Sequence, residues 1–341
     1  MKASKTAAIA NENPGDGYSV IAHDTGGGYA PGQVLFANDS RFLETYYSEP
    51  VTNYLIDWKD PNNIQDTLEF FAPAVTVGRR FEWKKASNTE EFLTETDDVR
   101  SQGADFKRVE YTGSDVTDKT LNKGLTYVAD LDNVGVSLGG TQWQNVKAAK
   151  LLRRLYRNEL SRAITLVLAA ATNNAYTWDT TAGKNPDQDL LNDILTGETA
   201  SGIRANRVVY GATAWNKRSI SYGAQNNVGG YMAQTTVGPA LAARLMVDQV
   251  MVSKERYQSS ATAKSELLGG NVLAFYNQTG VDIEDPSQVK RFVSNFDAEQ
   301  GGGLVRVYVQ QISSKLVAIT VEHYSKVVVT FSTGIRRLII S

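Results

Sequence analysis

The chain has 341 residues, 42% hydrophobic and 21% charged, with 35 Lys and Arg set against 37 Asp and Glu for a formal net charge of -2. Such a composition buries cores in two or three lobes, and a charge this close to zero gives no long-range field to draw a polyanion to the surface. Cysteine is absent and the only histidines are His23 and His323, which excludes thiolate nucleophiles, disulfides and cysteine-held metals and leaves little material for acid–base chemistry.

The opening MKASKTAAIANENPGDGYS has an apolar patch shorter than the roughly 7–15 residues of a secretory leader, so the chain reads as cytoplasmic. The longest apolar run, Ala163 to Ala171, is far below the roughly 20 residues of a membrane span, so no membrane partner is expected. Residues 1–50 begin with a stretch rich in glycine and small polar side chains, including Gly15, Gly17 and Gly32. Too little apolar surface is available there to offset ordering, so an extended arm is expected. Gly26-Gly27-Gly28 lacks the Gly-Lys-Ser/Thr and the strand-to-helix setting of a phosphate loop.

From Asn63 to Val134 short β-rich pieces follow, at Phe70 to Val77, Arg79 to Lys85 and Phe106 to Tyr111. Their alternation around a polar turn predicts a long hairpin. Its charges segregate, with Arg79, Arg80, Lys84 and Lys85 on one stretch and Glu90, Glu91, Glu95, Asp97 and Asp98 on the next. A solvated loop explains this pattern, since surface ion pairs contribute only ~0–1 kcal/mol each. So does a protruding arm that meets a neighbouring subunit, where complementary charge fixes register and partner; on that reading these nine residues are the candidate inter-subunit contacts.

After Gly139-Gly140 a helix is expected from Thr141, as N-cap, to about Asn173, with Leu152, Tyr156, Leu160, Ala163, Val167 and Ala171 forming one apolar stripe. At 1.5 Å per residue this spine is roughly 50 Å long. Lys147, Lys150, Arg153, Arg154, Arg157 and Arg162 face a single acid, Glu159. The basic flank either meets acidic partners or packaged nucleic acid by attraction without sequence preference or is a solvated face whose Arg stems cover apolar neighbours.

Beyond the spine, Pro186 opens a helix whose Asp187 and Asp189 complement the macrodipole and need no metal. The strand Arg207 to Tyr210, a turn at Gly211, and a helix through Trp215 to Ile220 come next. Tyr222 to Gly238, rich in Gly, Asn and Gln, reads as an exposed loop. A helix with Leu241 and Leu245 and strands at Gln249 to Ser253 and Val272 to Tyr276 complete a mixed lobe ending near Pro286. The remaining chain alternates as strands through Val305, Val307 and Val309 to Leu316–Val321, Val327–Val329 and Ile335–Ile340. Neither histidine lies in a nucleophile-elbow context, and the adjacent carboxylates Glu90-Glu91 and Asp97-Asp98 sit in a charged loop away from any apolar pocket. No catalytic, cofactor or metal site assembles, and a chain that is not an enzyme is expected.

The order of elements resembles the major capsid proteins of tailed bacteriophages, with their Hong Kong 97-like fold. Four stretches carry the resemblance: Phe71 to Val77 entering the hairpin; Thr126 to Gly135 leading to the spine with Arg157 to Leu160; Trp178 through Asp189 to Ala205 and on to Trp215; and Leu304 to Tyr308 through Glu322 to Phe331. The resemblance implies an α+β capsid fold with an N-terminal arm at 1–50, an extended β-hairpin loop at 51–125, a peripheral domain with the spine helix at 126–175 plus 301–341, and an axial mixed α/β domain at 176–300. It implies a non-enzymatic subunit that forms pentamers and hexamers of an icosahedral shell in the virion, after assembly in the host cytoplasm. Its implied partners are itself, a portal protein, a separate scaffolding protein, decoration proteins and packaged double-stranded DNA, with Lys147, Lys150, Arg153, Arg154 and Arg157 as the candidate interior flank. An encapsulin-like compartment enclosing a cargo enzyme is the alternative with the same fold.

Overall fold

The structure, a computed structural model, describes residues 46–85, 99–100, 105, 114–134, 142–278, 286–296 and 303–341. Helices α1 (Glu49–Asp57) and α2 (Ile64–Phe71) come first. Pro50 sits in the first turn of α1, where its missing N–H leaves no bond unmade. Ile64, Leu68 and Phe71, spaced four and three apart, bury one face of α2. That helical spacing prevails over the β-propensity of Phe70-Phe71, so the strand expected from Phe70 is only β1 (Ala74–Thr76).

β2 (Arg80–Lys85) and β3 (Ser114–Lys119) pair antiparallel from Arg80 opposite Lys119 to Lys85 opposite Ser114, as the base of a hairpin. Phe106 to Tyr111, expected as its return strand, lies outside the described residues. β4 (Leu121–Asp130) and the short α3 (Leu131–Val134) precede α4 (Gln142–Ala170), the spine. Its 29 residues correspond to about 44 Å; the proposed cap Thr141 lies outside the described residues. The spine stops short of Asn173 because Thr172, Asn173 and Asn174 are weak helix formers that instead enter β5 (Thr172–Tyr176) and pair with the last strand of the chain.

Two five-stranded sheets organise the rest. In the first, β13 (Leu316–Val329) pairs with β4 along one edge, from Leu316 opposite Asp130 to Ser325 opposite Leu121. Its other edge is shared end to end by β12 (Val305–Gln311), with Val305 opposite His323, and β11 (Val289–Ser294), with Ser294 opposite Tyr324. β11 and β12 thus form one line interrupted by residues 295–304, and β1 adds on to β11 in parallel. The second sheet runs β5, β14 (Arg336–Ile340), β10 (Asn271–Phe275), β6 (Arg207–Gly211), β7 (Gln249–Ser253), so the final strand leaves the first sheet for the second. Gly211 is required at the end of β6, because a Cβ there would stand 1.9 Å from the Gly269 carbonyl oxygen.

Helices α5 (Pro186–Ser201), α6 (Ala212–Gly223), α7 (Val228–Thr235) and α8 (Gly238–Leu245) belong to the second sheet's lobe, and β8 (Arg256–Gln258) and β9 (Lys264–Glu266) form a small separate hairpin. α7 replaces the exposed loop expected between Tyr222 and Gly238. Asn227 is the reason, since its side-chain oxygen accepts the Gly230 N–H at 2.6 Å and starts a helix in a glycine-rich stretch.

The spine lies over two consecutive cores. Trp143, Ala148, Leu151, Leu152 and Leu155 pack with Val51 and Leu55 of α1 and with Val305, Val307, Ile319 and Val321 of the first sheet. Leu160, Ala163, Ile164 and Val167 pack with Leu68 and Phe71 of α2 and with Val209, Leu273 and Phe275 of the second sheet. At about 1.5–3 kcal/mol for each fully buried large aliphatic or aromatic side chain, this stripe is what joins the sheets. A third core, with Trp178, Leu190, Tyr210, Leu241 and Val272, fills the lobe of α5 to α8.

Candidate assembly interface

Among the described residues no three His, Asp or Glu side chains are grouped to hold a metal ion, and no helix is long and apolar enough to cross a membrane. Exposed surfaces are found at the hairpin base, the spine flank and the outer face of α7.

Alternation along β2 turns Phe81 and Trp83 inward onto Phe292, at ring-centroid distances of 4.4 and 6.4 Å, and Val75 and Val328 complete this small core. Lys326 is ion-paired with Asp118 of β3. Burial opposes the Asp118 charge, yet the Lys326 ammonium and the Lys119 amide hold its carboxyl below the ordinary value. Arg80 and Lys85 are exposed and Lys84 half-buried, and none of the three has an ion-pair partner among the described residues. Arg79 differs, because its guanidinium lies 4.7 Å from the ring centre of Tyr324 and so is partly occupied within the chain. Glu90, Glu91, Glu95, Asp97 and Asp98 lie outside the described residues.

The spine flank divides in the same way. Arg153 donates to the buried Asp60 at 2.7 Å, Arg157 reaches the Arg256 carbonyl and lies 3.8 Å from Glu255, and Arg162 bonds Glu159 at 3.0 Å. Lys147 sits 4.7 Å from the centre of the Tyr127 ring. Lys150 and Arg154 are exposed without an ion-pair partner among the described residues. A groove of about 410 Å³ runs between Tyr127, Lys147, Lys150, Leu151, Arg153 and Arg154.

Two charged clusters escape the linear sequence. Glu159 is buried where the two spine cores meet, accepts bonds from Lys123 and Arg162, and has His323 Nε2 at 3.9 Å. Burial alone would raise its proton affinity; the surrounding cations outweigh it and hold the carboxyl well below the ordinary 4.5. His323 therefore faces a structural ion cluster. In the other lobe, Arg218 at 0% exposure donates to both Asp187 oxygens at 2.6 and 3.0 Å, and to the carbonyls of Ala233 and Thr236 at 3.0 and 3.4 Å. Asp187 thus does more than complement a helix dipole, because it binds α5 to α6 and, through Arg218, to α7. A sequence signal existed for Glu159, which falls four residues after Leu155 and beside Leu160, inside the apolar stripe. Nothing local marked Arg218. The outer face of α7 exposes Val228 and Met232, at 78% and 67%, beside Tyr231.

No protein-family model and no curated protein matches the chain. Solved structures do. A phage-related protein from Bordetella bronchiseptica RB50 is similar over 86% of this chain and 96% of its own, with a TM-score of 0.63 at 14% identity. The capsid structure of the cyanophage P-SCSP1u aligns with 80% of this chain and 87% of its own, at a TM-score of 0.46 and 10% identity. An encapsulin complex from Synechococcus elongatus PCC 7942 aligns with 78% and 83%, at 0.43 and 10%. The first of these likenesses shows a common fold along most of both chains.

Proposed function

We propose that the chain is a major capsid protein of a tailed bacteriophage, a non-enzymatic subunit of Hong Kong 97-like fold that builds the shell around packaged double-stranded DNA. The observation that carries this reading is the fold shared with the phage-related protein over 86% of this chain, in the element order of hairpin, spine, mixed lobe and returning strands. Uncommitted charge on the hairpin base and the spine flank supports it, since a wall subunit needs patterned surface and no reactive side chains. On this reading the hairpin base is the root of the extended loop, the spine with the first sheet is the peripheral domain, and the lobe of α5 to α8 is the axial domain; against the bounds given above, α2 and most of α1 within 51–125 pack on the spine, β11 within 176–300 lies in the first sheet, and β14 within 301–341 lies in the second. Heterologous contacts between such subunits close into five- and six-membered rings. Portal, scaffolding and decoration proteins are the accompanying partners, and the virion, reached from the host cytoplasm, is the location.

Expression of the chain alone and with phage assembly proteins, followed by sedimentation and negative-stain microscopy, tests this. Rings, sheets or shells are expected. Monomers in every condition overturn it, and shells that co-purify with one enzyme and no genome transfer the reading to a cargo compartment.

A further inference from the structure

β4 closes the first sheet on one side. Its ten residues all pair with β13, and among the described residues its other edge has no strand partner. Alternation in an antiparallel ladder decides which backbone groups face that edge. Val307 of β12 turns its amide to Thr52 and its carbonyl to Ser48, away from β13, so Val321 opposite it bonds toward β4, at Leu125. The Leu131 amide, donating to the Lys315 carbonyl, keeps the same step. The odd residues of β4 therefore bond β13, and Asn122, Gly124, Thr126 and Val128, all exposed, aim N–H and C=O outward. Open edges are ordinarily blunted by charge, proline or a bulge. These four positions carry neither charge nor proline, and the neighbouring Lys123 turns inward to Glu159. The result is an unprotected edge about 33 Å long.

The basic groove runs beside this edge. Lys123 meets Glu159 and Tyr127 meets Lys147, so the spine lies along β4 in the opposite direction, on the side of its odd residues. A strand added to β4 would turn every second side chain toward that groove. Tyr127 and Leu151 supply its apolar floor. Lys150 and Arg154, which have no ion-pair partner among the described residues, supply the charge. They stand one helical turn apart, about 6 Å along the axis, close to the roughly 6.6 Å between alternate residues of a strand. Outward carbonyls and an apolar floor do not suit a phosphate backbone, which accepts hydrogen bonds and donates none. Asp118 and Glu266, on this chain's own exposed hairpins, are ion-paired at home with Lys326 and Arg256.

We infer that β4 takes an added strand from a different protein, an extended segment whose alternate side chains, acids and bulky apolar groups, lie in the groove of Tyr127, Leu151, Lys150 and Arg154. Main-chain hydrogen bonds along the edge supply affinity, and the groove selects the segment by its alternate side chains. The charge pairs sit at a rim, where they set partner choice and encounter rate. Strand addition at β4 goes beyond the shell reading and does not depend on it.

A fluorescein-labelled peptide with Thr at every second position and Val, Glu, Glu and Val between them, titrated into unassembled full-length chain and read by anisotropy, tests this. The groove-facing run reads the same in either strand direction. Saturable binding is expected. N-methylation of one alternate set of peptide amides should abolish it while methylation of the other set spares it, the signature of a single bonded edge. Bound peptide should slow amide exchange at Asn122, Gly124, Thr126 and Val128 and leave Lys123, Leu125 and Tyr127 unchanged. Lys150→Glu with Arg154→Glu should weaken binding about tenfold or more, as the loss and reversal of two rim pairs implies, at an unchanged melting temperature, and a peptide with Lys in place of Glu should recover it. Absence of binding, equal effects of the two methylated sets, or binding indifferent to Lys150 and Arg154 overturns the inference. So does a short DNA duplex that binds and loses affinity in the same variant while the peptide does not bind, or self-association of the chain that protects the same four amides and that the peptide does not displace.

Discussion

Replacing Asp187 with Ala isolates the charge of Arg218, and the structure sets the size of the effect. Arg218 is fully buried, and burial alone would weaken its hold on its proton; hydrogen bonding to Asp187 more than offsets this. Without Asp187 the guanidinium keeps the Ala233 and Thr236 carbonyls but has no counter-charge. Loss of one partner of a buried pair costs about 3–5 kcal/mol. Arg218→Met should cost about 3 kcal/mol, at the lower end, because Asp187 retains the half-exposed Arg244 at 3.3 Å. The double variant Asp187→Leu with Arg218→Met removes both charges and should fall within about 2 kcal/mol of the parent, giving a coupling of several kcal/mol. Urea unfolding of unassembled subunit measures the cycle, and hydrogen exchange at 228–236 shows whether α7 is released with Arg218. A cost under about 1 kcal/mol for Asp187→Ala, with unchanged exchange in α7, would refute the assignment of this pair as the joint between α5, α6 and α7.

Three further outcomes follow from the geometry. The depressed carboxyl of Glu159 contributes stability that is complete above its unfolded value near 4.5 and is lost as pH falls below it; Glu159→Gln should lower stability at pH 7 by about 3 kcal/mol or more, with a shallower loss between about pH 5 and 2, read from urea melts at each pH. Phe292→Ala removes the fully buried ring on which Phe81 and Trp83 rest, which should cost about 3–5 kcal/mol and raise amide exchange in β2 and β3 above that of the spine. Arg80→Glu should leave subunit stability within about 0.5 kcal/mol while reducing assembly, whereas Arg79→Glu also loses its contact with Tyr324 and should cost about 0.5–1 kcal/mol in both thermal melts and assembly assays; equal loss of folding and assembly for Arg80→Glu would make the hairpin base a purely intrachain element.

The elements that could be read in advance are those whose burial follows one period. Leu152, Leu160, Ala163 and Val167 mark the spine because a single stripe must face both cores, and Arg207 to Gly211 reads as a strand because every residue is buried. α2 and α7 were harder for opposite reasons: Phe70-Phe71 favours a strand by propensity, while Gly229, Gly230 and Asn227 look like a loop until Asn227 is seen as a cap. Long-range pairing was out of reach. Glu159 finds Lys123 across 36 residues, and Arg218 finds Asp187 across 31, so only the position of Glu159 within an apolar stripe betrayed that it is buried. The segregated charge of the hairpin and the spine was visible from composition along the chain. Which cations stay uncommitted was not, because that depends on Asp60, Glu255 and Tyr324 arriving from elsewhere.

Cryo-electron microscopy of particles from cells expressing the chain with its assembly partners bears most directly on the central claim. The account predicts closed icosahedral shells whose repeating density fits this fold. Particles absent in every condition, or density that this chain does not fit, would contradict it.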